Sequence, residues 1–314
     1  MRKPIFSIII PTYNRINDLF VCLNSLTKLD YPKSNFEVIV VDDGNDRADR
    51  AIFCFKSLNI NLIKSGNVGP ASARNKGARA AKGIYLGFID DDCTVEPEWL
   101  VKIEEHLKWF PNYLIGGCTV NGLVDNVYSE ASQLIINWLY EHYNKNTPQF
   151  VTSNNFAVSK ARFMQIGGFN ENFPIPGGED RHFCKKWLNY GYKIIYEPEA
   201  IVTHWHELDI EKFCQQQFNY GRGAFIFKKI LKNGNNFEAK SFYFKLMLYP
   251  LRAAHNRKIS ITILFIFSQV AILAGFLHQK CHALQPTTSE AADPPNQTTQ
   301  NTIDNPDQSP QKTK

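Results

Sequence analysis

Ile5-Phe6-Ser7-Ile8-Ile9-Ile10 is an Ile-rich run that stops at Pro11-Thr12-Tyr13-Asn14-Arg15. A short apolar run closed by a turn signal reads as a strand buried on both faces. The next stretch has a different period: Leu19, Cys22, Leu23 and Leu26 recur at helical spacing through Ile16 to Leu29, and Phe36 to Val41 is a second buried-strand run. That is a βαβ unit, and the alternation continues. Ile60 to Ile63 is a short strand, Ala71 to Ala81 a helix closed by Gly83, and Ile84 to Ile89 a strand ending in Asp90-Asp91-Asp92. The expected class is α/β, a Rossmann-like, mostly parallel sheet flanked by helices. Ligands of such sheets bind beyond the carboxyl ends of the strands. Those ends carry Pro11-Thr12-Tyr13-Asn14, Asp42-Asp43-Gly44-Asn45 and the three aspartates.

The remaining composition narrows the class. With 314 residues, 44% hydrophobic and 13% aromatic, the chain has enough apolar material for a large core, and its length predicts about two domains. A net charge of +5 is too small and too dispersed for a nucleic-acid partner, and none is expected. The seven cysteines form no C-x-x-C pair and no zinc-site spacing, so they read as reduced thiols, several of them small core hydrophobes. The basic start and its short apolar run end too soon at Pro11 for a signal peptide, which keeps the catalytic part inside the cell.

Four zones follow from composition. Residues 1–115 form the βα-alternating half. Residues 116–235, dense in aromatic and polar residues with turns at Gly167-Gly168 and Gly177-Gly178 and without comparable alternation, read as the acceptor half of a two-part site. Residues 236–282 hold nineteen uncharged residues, Ile259 to Leu277, long enough at about 1.5 Å per residue to cross a hydrocarbon core. A helix buried in protein or lying in the membrane interface is the other reading of that stretch. Arg252, Arg257 and Lys258 before it bias the N-terminal part to the cytoplasm, and Phe242 to Leu251 reads as an amphipathic lead-in. Residues 283–314, with five prolines and no aromatic, are expected to be disordered.

Three acidic residues in a row repel and raise one another's pKa, so a cation should offset them. Mg2+ or Mn2+ fits, because these ions bind through one or two carboxylates and take further ligands from water and phosphates. The same cluster also reads as an acidic turn before the next helix. A nucleoside laid across the strand tips would meet Pro11 to Arg15 and Asp42-Asp43, and the helix opened by Asn67-Val68-Gly69-Pro70 presents Arg74 and Lys76, suited to a diphosphate or equally to a solvated face. G-x-G-x-x-G after the first strand, the P-loop and G-x-S-x-G are all absent, which removes dinucleotide oxidoreductases, P-loop ATPases and serine hydrolases.

Taken together, Ser7 to Arg15, Val40-Val41-Asp42-Asp43-Gly44, Gly69 to Gly77 and Phe88-Ile89-Asp90-Asp91-Asp92 resemble the family 2 glycosyltransferases of the GT-A fold, over roughly residues 5–210. The resemblance implies inverting transfer from a nucleotide-diphosphate sugar, with a uridine donor favoured. Asp90 and Asp92 would be the D-x-D pair, touching ribose or phosphate and the metal; Asp91 belongs to the same donor-binding set, and Asp42 or Asp43 would contact the nucleobase. Gly167-Gly168-Phe169 followed by Gly178-Glu179-Asp180 resembles the family's "GGF then ED" segment, which makes Asp180 the expected catalytic base and Glu179 its competitor. An inverting displacement needs such a carboxylate to take the acceptor proton. His204 is an expected ligand of the metal or diphosphate, and Trp205 of the acceptor pocket.

Gln215-Gln216-Gln217 and Arg222 lack the R-W of processive members, which points to transfer of a single sugar to a lipid-linked or saccharide acceptor at the cytoplasmic face of a membrane, in cell-surface polysaccharide or glycolipid synthesis. The competing readings are a non-catalytic, membrane-anchored partner of a glycan-assembly complex and a nucleotidyltransferase.

Overall fold

Alternate residues of the first strand go to opposite layers, which is why its sequence shows no polar alternation. In the computed structural model, which describes residues 3–44, 48–231, 238–254 and 256–284, β1 (Phe6–Thr12) sends Ile8 and Ile10 into one core and Ile9 into another. β2 (Phe36–Asp42) divides in the same way, Val38 and Val40 against Ile39 and Val41. Each such side chain taken out of water contributes about 1.5–3 kcal/mol of hydrophobic stabilisation before entropy is counted. The first core is closed by α1 (Ile16–Leu26) and α4 (Trp99–Trp109), the second by α3 (Pro70–Ala80) and α7 (Glu179–Asn189).

With β3 (Ile60–Lys64), β4 (Tyr85–Phe88), β5 (Cys93–Val95), β6 (Leu114–Asn121), β7 (Phe156–Ser159) and β8 (Ile194–His204), the described residues build one eight-stranded sheet, ordered β3-β2-β1-β4-β7-β6-β8-β5. The β3-β2-β1-β4 half is parallel; β7 runs antiparallel to β4 and β6, β8 parallel to β6, and β5 antiparallel to β8. The α/β expectation holds, with one difference. The described part of the second zone, residues 116–231, does alternate strands and helices, adding α5 (Val127–Tyr143) and α6 (Lys160–Gln165), and continues the sheet begun by the first half. Polar strand ends hid this. The runs Lys193 to Tyr196 and Ala200 to Val202 are one strand, β8, whose register against β6 shifts between Gly117 and Cys118 to absorb Pro198 and its neighbours.

The short helix α2 (Ala48–Phe53) follows β2. A third apolar cluster joins α5 to three C-terminal helices, α8 (Ile210–Leu231), α9 (Lys240–Ala253) and α10 (Lys258–Leu284). The uncharged stretch 259–277 lies within α10. The cysteines are free, with Cys22, Cys93 and Cys184 buried. Of the segment 283–314 expected to be disordered, Ala283 and Leu284 belong to α10, while residues 285–314, like Asn45, lie outside the described residues.

Candidate active site

β1, β2 and β4 end on one side of the sheet, and α7 begins facing them across a cleft of about 1360 Å3. Pro11, Thr12, Tyr13, Arg15, Asp43, Asn67, Arg74, Asp90, Asp91, Asp92, Glu179, Asp180 and His204 all line it. Two of the expected donor-site residues do not. Asp42 is buried behind the rim, with Oδ1 accepting the Gly44 N–H at 3.2 Å, and Asn14, in a left-handed conformation (φ 54°), packs against Gly44. A second concavity, of about 1440 Å3 between β6, α5 and α9, holds neither the strand tips nor the α7 carboxylates.

Protein cations offset the three aspartates. Arg15 Nη1 lies 2.6 Å from Asp92 Oδ2 and 3.2 Å from Asp91 Oδ1, Arg74 Nη2 lies 2.7 Å from Asp90 Oδ1, and His204 Nε2 lies 3.2 Å from Asp92 Oδ1. The cation expected from the sequence is thus supplied at least in part by the protein itself, and charge repulsion alone does not demand a metal here. Asp91 and Asp92 differ in electrostatics. Burial and the adjacent Asp92 push Asp91 up to about 7, although the Thr12 hydroxyl donates to it at 2.7 Å. Burial opposes charge on Asp92 too, but His204 and Arg15 hold it well below the usual carboxylate range. Burial disfavours the His204 cation, and Asp92 raises its pKa in return.

Asp43 is a brace as well as a wall. Its two oxygens accept the N–H groups of Val68 and Gly69, each at 2.8 Å, and thereby fix the loop that carries Asn67 (φ 60°) to the start of α3. Arg74 does not face solvent from that helix: it is buried, reaching Asp90 and, at 3.4 Å through Nη1, Glu179 Oε1. Lys76 turns away from the cleft and donates to Ser65 Oγ and O at 2.8 and 3.1 Å.

α7 starts at Gly178, whose left-handed conformation (φ 91°) costs glycine little, and the first turn presents Glu179 and Asp180 at the positive end of the helix. Glu179 is committed: Oε2 accepts the Gly177 N–H at 2.7 Å and Oε1 faces Arg74. Burial and Asp180 push it up to about 7. Asp180 is also raised, by burial against the pull of Arg74 and of hydrogen bonding from Ser153, and its buried Oδ1 lacks a hydrogen-bond partner among the described residues.

Ser153 and His206 carry no sequence signal of their own. His206 stacks on His204 with ring centroids 3.9 Å apart, both of its ring nitrogens lack a partner among the described residues, and burial pushes its pKa down to about 3. Trp205, half exposed, borders the cleft and donates to Thr94 Oγ1 at 2.9 Å. On the far wall, α8 contributes Gln216, Gln217 and Tyr220, and Gly223 of the same helix meets the Gly177 backbone so closely that a Cβ would lie 1.8 Å from the Gly177 carbonyl oxygen.

Comparison with known proteins agrees with this architecture. The model for glycosyl transferase family 2 matches residues 7–167, and that for the N-terminal domain of galactosyltransferase matches residues 133–208. Glycosyltransferase AglE of Haloferax volcanii is 28% identical over 230 residues, 70% of this chain and 73% of that protein. An uncharacterized glycosyltransferase of Haemophilus influenzae is 28% identical over 291 residues, covering 86% of this chain and 92% of its own. Among solved structures, the mannosyltransferase PcManGT of Pyrobaculum calidifontis, in complex with GDP-Man and Mn2+, superposes with a TM-score of 0.60 at 18% identity, over 90% of this chain and 81% of that one. With the strand-tip cleft and the family match over half its length, the chain belongs to glycosyl transferase family 2, as a transferase enzyme of the GT-A fold.

Proposed function

We propose that this enzyme moves one sugar from a nucleotide-diphosphate donor to an acceptor hydroxyl with inversion, at the cytoplasmic face of a membrane, on a lipid-linked or saccharide acceptor of cell-surface polysaccharide or glycolipid synthesis. The observation that carries it is the pairing, in one cleft, of the Asp90-Asp91-Asp92 turn with Asp180, a carboxylate whose Oδ1 is buried and unpartnered. The solved neighbour holding GDP-Man and Mn2+ supports a nucleotide-sugar donor.

The residues fit a divalent cation. Asp92 offers a carboxylate oxygen, His204 an imidazole nitrogen within 3.2 Å of it, and the unpartnered nitrogens of His206 stack beside them. Bound there, Mg2+ or Mn2+ would neutralise charge on the departing diphosphate. Pro11, Thr12, Tyr13 and Asp43 would flank the nucleoside, with Asn67 and Arg74 toward the ribose and diphosphate. Asp180 takes the acceptor proton while the acceptor oxygen bonds to the anomeric carbon and the bond to the diphosphate oxygen breaks on the opposite face. Glu179, held by Arg74 and Gly177, positions that turn.

The test is calorimetric titration of UDP, GDP and dTDP with and without Mn2+ on wild type, Asp92→Ala and Asp180→Asn, followed by turnover assays. Metal-dependent binding of one nucleotide should vanish in Asp92→Ala and persist in Asp180→Asn, whose turnover should fall by about 10²–10⁴-fold. Retained turnover in Asp180→Asn removes the base assignment. Release of pyrophosphate instead of a nucleoside diphosphate makes the enzyme a nucleotidyltransferase, and no nucleotide binding at all returns the non-catalytic reading.

A further inference from the structure

α10 has the composition of a membrane-crossing helix, with a mean hydropathy of 2.2 over its most apolar window, yet its two sides have different surroundings. Ile261, Leu264, Phe265, Ser268 and Gly275 face the protein and are buried. At Gly221 of α8 a Cβ would lie 1.9 Å from the Ile272 carbonyl oxygen, and at Gly275 one would lie 1.9 Å from that of Phe218, so the two helix backbones touch. Arg222 of α8 donates to Gln279 at 2.9 Å near the far end of α10. The opposite side, Ile259, Ile263, Ile266, Phe267, Val270, Leu273 and Leu277, is exposed and wholly apolar along a line of about 27 Å. α9, packed on α10, adds an outward stripe of Phe244, Leu248 and Leu251.

We infer that α10 lies in the plane of a membrane surface, its outer stripe sunk among the lipids, rather than crossing the bilayer as its composition predicts. This rests on the membrane association proposed above. Gln269 and Ile272, halfway along α10, line the same cleft as Asp90, Asp92, Glu179 and Asp180. A crossing α10 would carry that cleft, and the Arg222 side of α8, to the depth of the hydrocarbon core, where ionised groups are strongly disfavoured. An in-plane α10 leaves the cleft in water above the headgroups. Residues 239–284 contain six Lys or Arg and no Asp or Glu; Arg252 is paired with Glu141 of α5, and the excess of positive charge that remains makes an anionic lipid surface the occupant that complements this face. The cleft then opens beside the bilayer, its wall including Phe242, Leu246 and Ile272, where a lipid-linked acceptor presents its sugar end.

The test uses the full chain, with Cys54, Cys118, Cys214 and Cys281 changed to Ser and one environment-sensitive fluorophore placed through Ile263→Cys, Val270→Cys or Leu277→Cys. Vesicles of phosphatidylcholine with phosphatidylglycerol, or phosphatidylcholine alone, carry nitroxide quenchers at shallow or deep acyl positions. The expected result is stronger binding to the anionic vesicles and, at all three sites, stronger quenching by the shallow probe. A depth that peaks at 270 and falls at 263 and 277 means a crossing helix and overturns the inference while sparing membrane association. Absence of vesicle binding removes both, and binding without quenching at any site assigns the stripe to a protein contact. In a second arm, Val270→Glu should lower vesicle binding at least tenfold with nucleotide binding in solution unchanged.

Discussion

Arg74 Nη2 lies 2.7 Å from Asp90 Oδ1, which ties the first helix after the nucleotide-side loop to the acidic turn at the end of β4. The same guanidinium reaches Glu179 at the start of α7, so one buried cation spans both walls of the cleft. Arg74→Met would leave Glu179 buried without its cation. Measured above pH 7, where Glu179 is ionised, breaking that buried pair from one side costs about 3–5 kcal/mol, and the cost shrinks at lower pH as the carboxyl takes up a proton. Chemical denaturation of wild type and variant measures this, and a loss below about 1 kcal/mol would show the pairing to be incidental.

Glu179 makes stability pH-dependent in a direction set by its raised pKa. The group is ordinarily half-ionised near 4.5 and in the fold near 7, so below 4.5 it is neutral in both states and its contribution is fully present. As pH rises from 4.5 to 7 the unfolded chain loses this proton while the folded chain keeps it, and stability falls. Glu179→Gln should flatten that part of the melting-temperature profile. Asp91 behaves alike, from 3.8 to about 7, so the slope is reduced rather than abolished. An unchanged slope in Glu179→Gln would count against the buried, protonated Glu179. Asp180 is raised by the same burial, and the acid limb of the turnover profile should therefore sit above the range of an exposed aspartate.

Asp42 and Asp43 separate by geometry. Asp43→Ala frees the Val68 and Gly69 N–H groups and should cost about 1–3 kcal/mol along with weaker nucleotide binding. Asp42→Asn, behind the rim, should leave nucleotide binding within about twofold, since no contact to the cleft is lost. Titration of the nucleotide into each variant decides, and the reverse order would transfer the donor contact to Asp42.

Gly223 tests whether α8 holds the catalytic turn. Gly223→Ala adds a methyl where only 1.8 Å separates it from the Gly177 carbonyl oxygen, so the loop before α7 must move. Turnover should drop by about 10²-fold while donor binding, which depends on the strand tips, is retained. Equal losses in binding and turnover would point to general unfolding instead.

Local pattern was enough for the frame. The Ile-rich β1, the buried β2 and the run into Asp90 each declare their state within a few residues, because strand burial on both faces and helical spacing are local periodicities. The family followed from four such segments in order. The second half was harder to read: β7 and the split run of β8 are defined by pairing with β4 and β6, and Pro198 breaks the pattern where the register shifts. Partnership across the cleft had no local trace at all. Arg74 meets Glu179 across 105 positions, Thr12 meets Asp91 across 79, and Ser153 reaches Asp180 only because α7 folds back over the sheet. The fate of α10 belongs with these. Nineteen uncharged residues set its affinity for an apolar surrounding, but whether that surrounding is lipid on all sides or α8 on one depends on Gly221 and Gly275 letting two backbones touch, a contact between segments more than fifty residues apart.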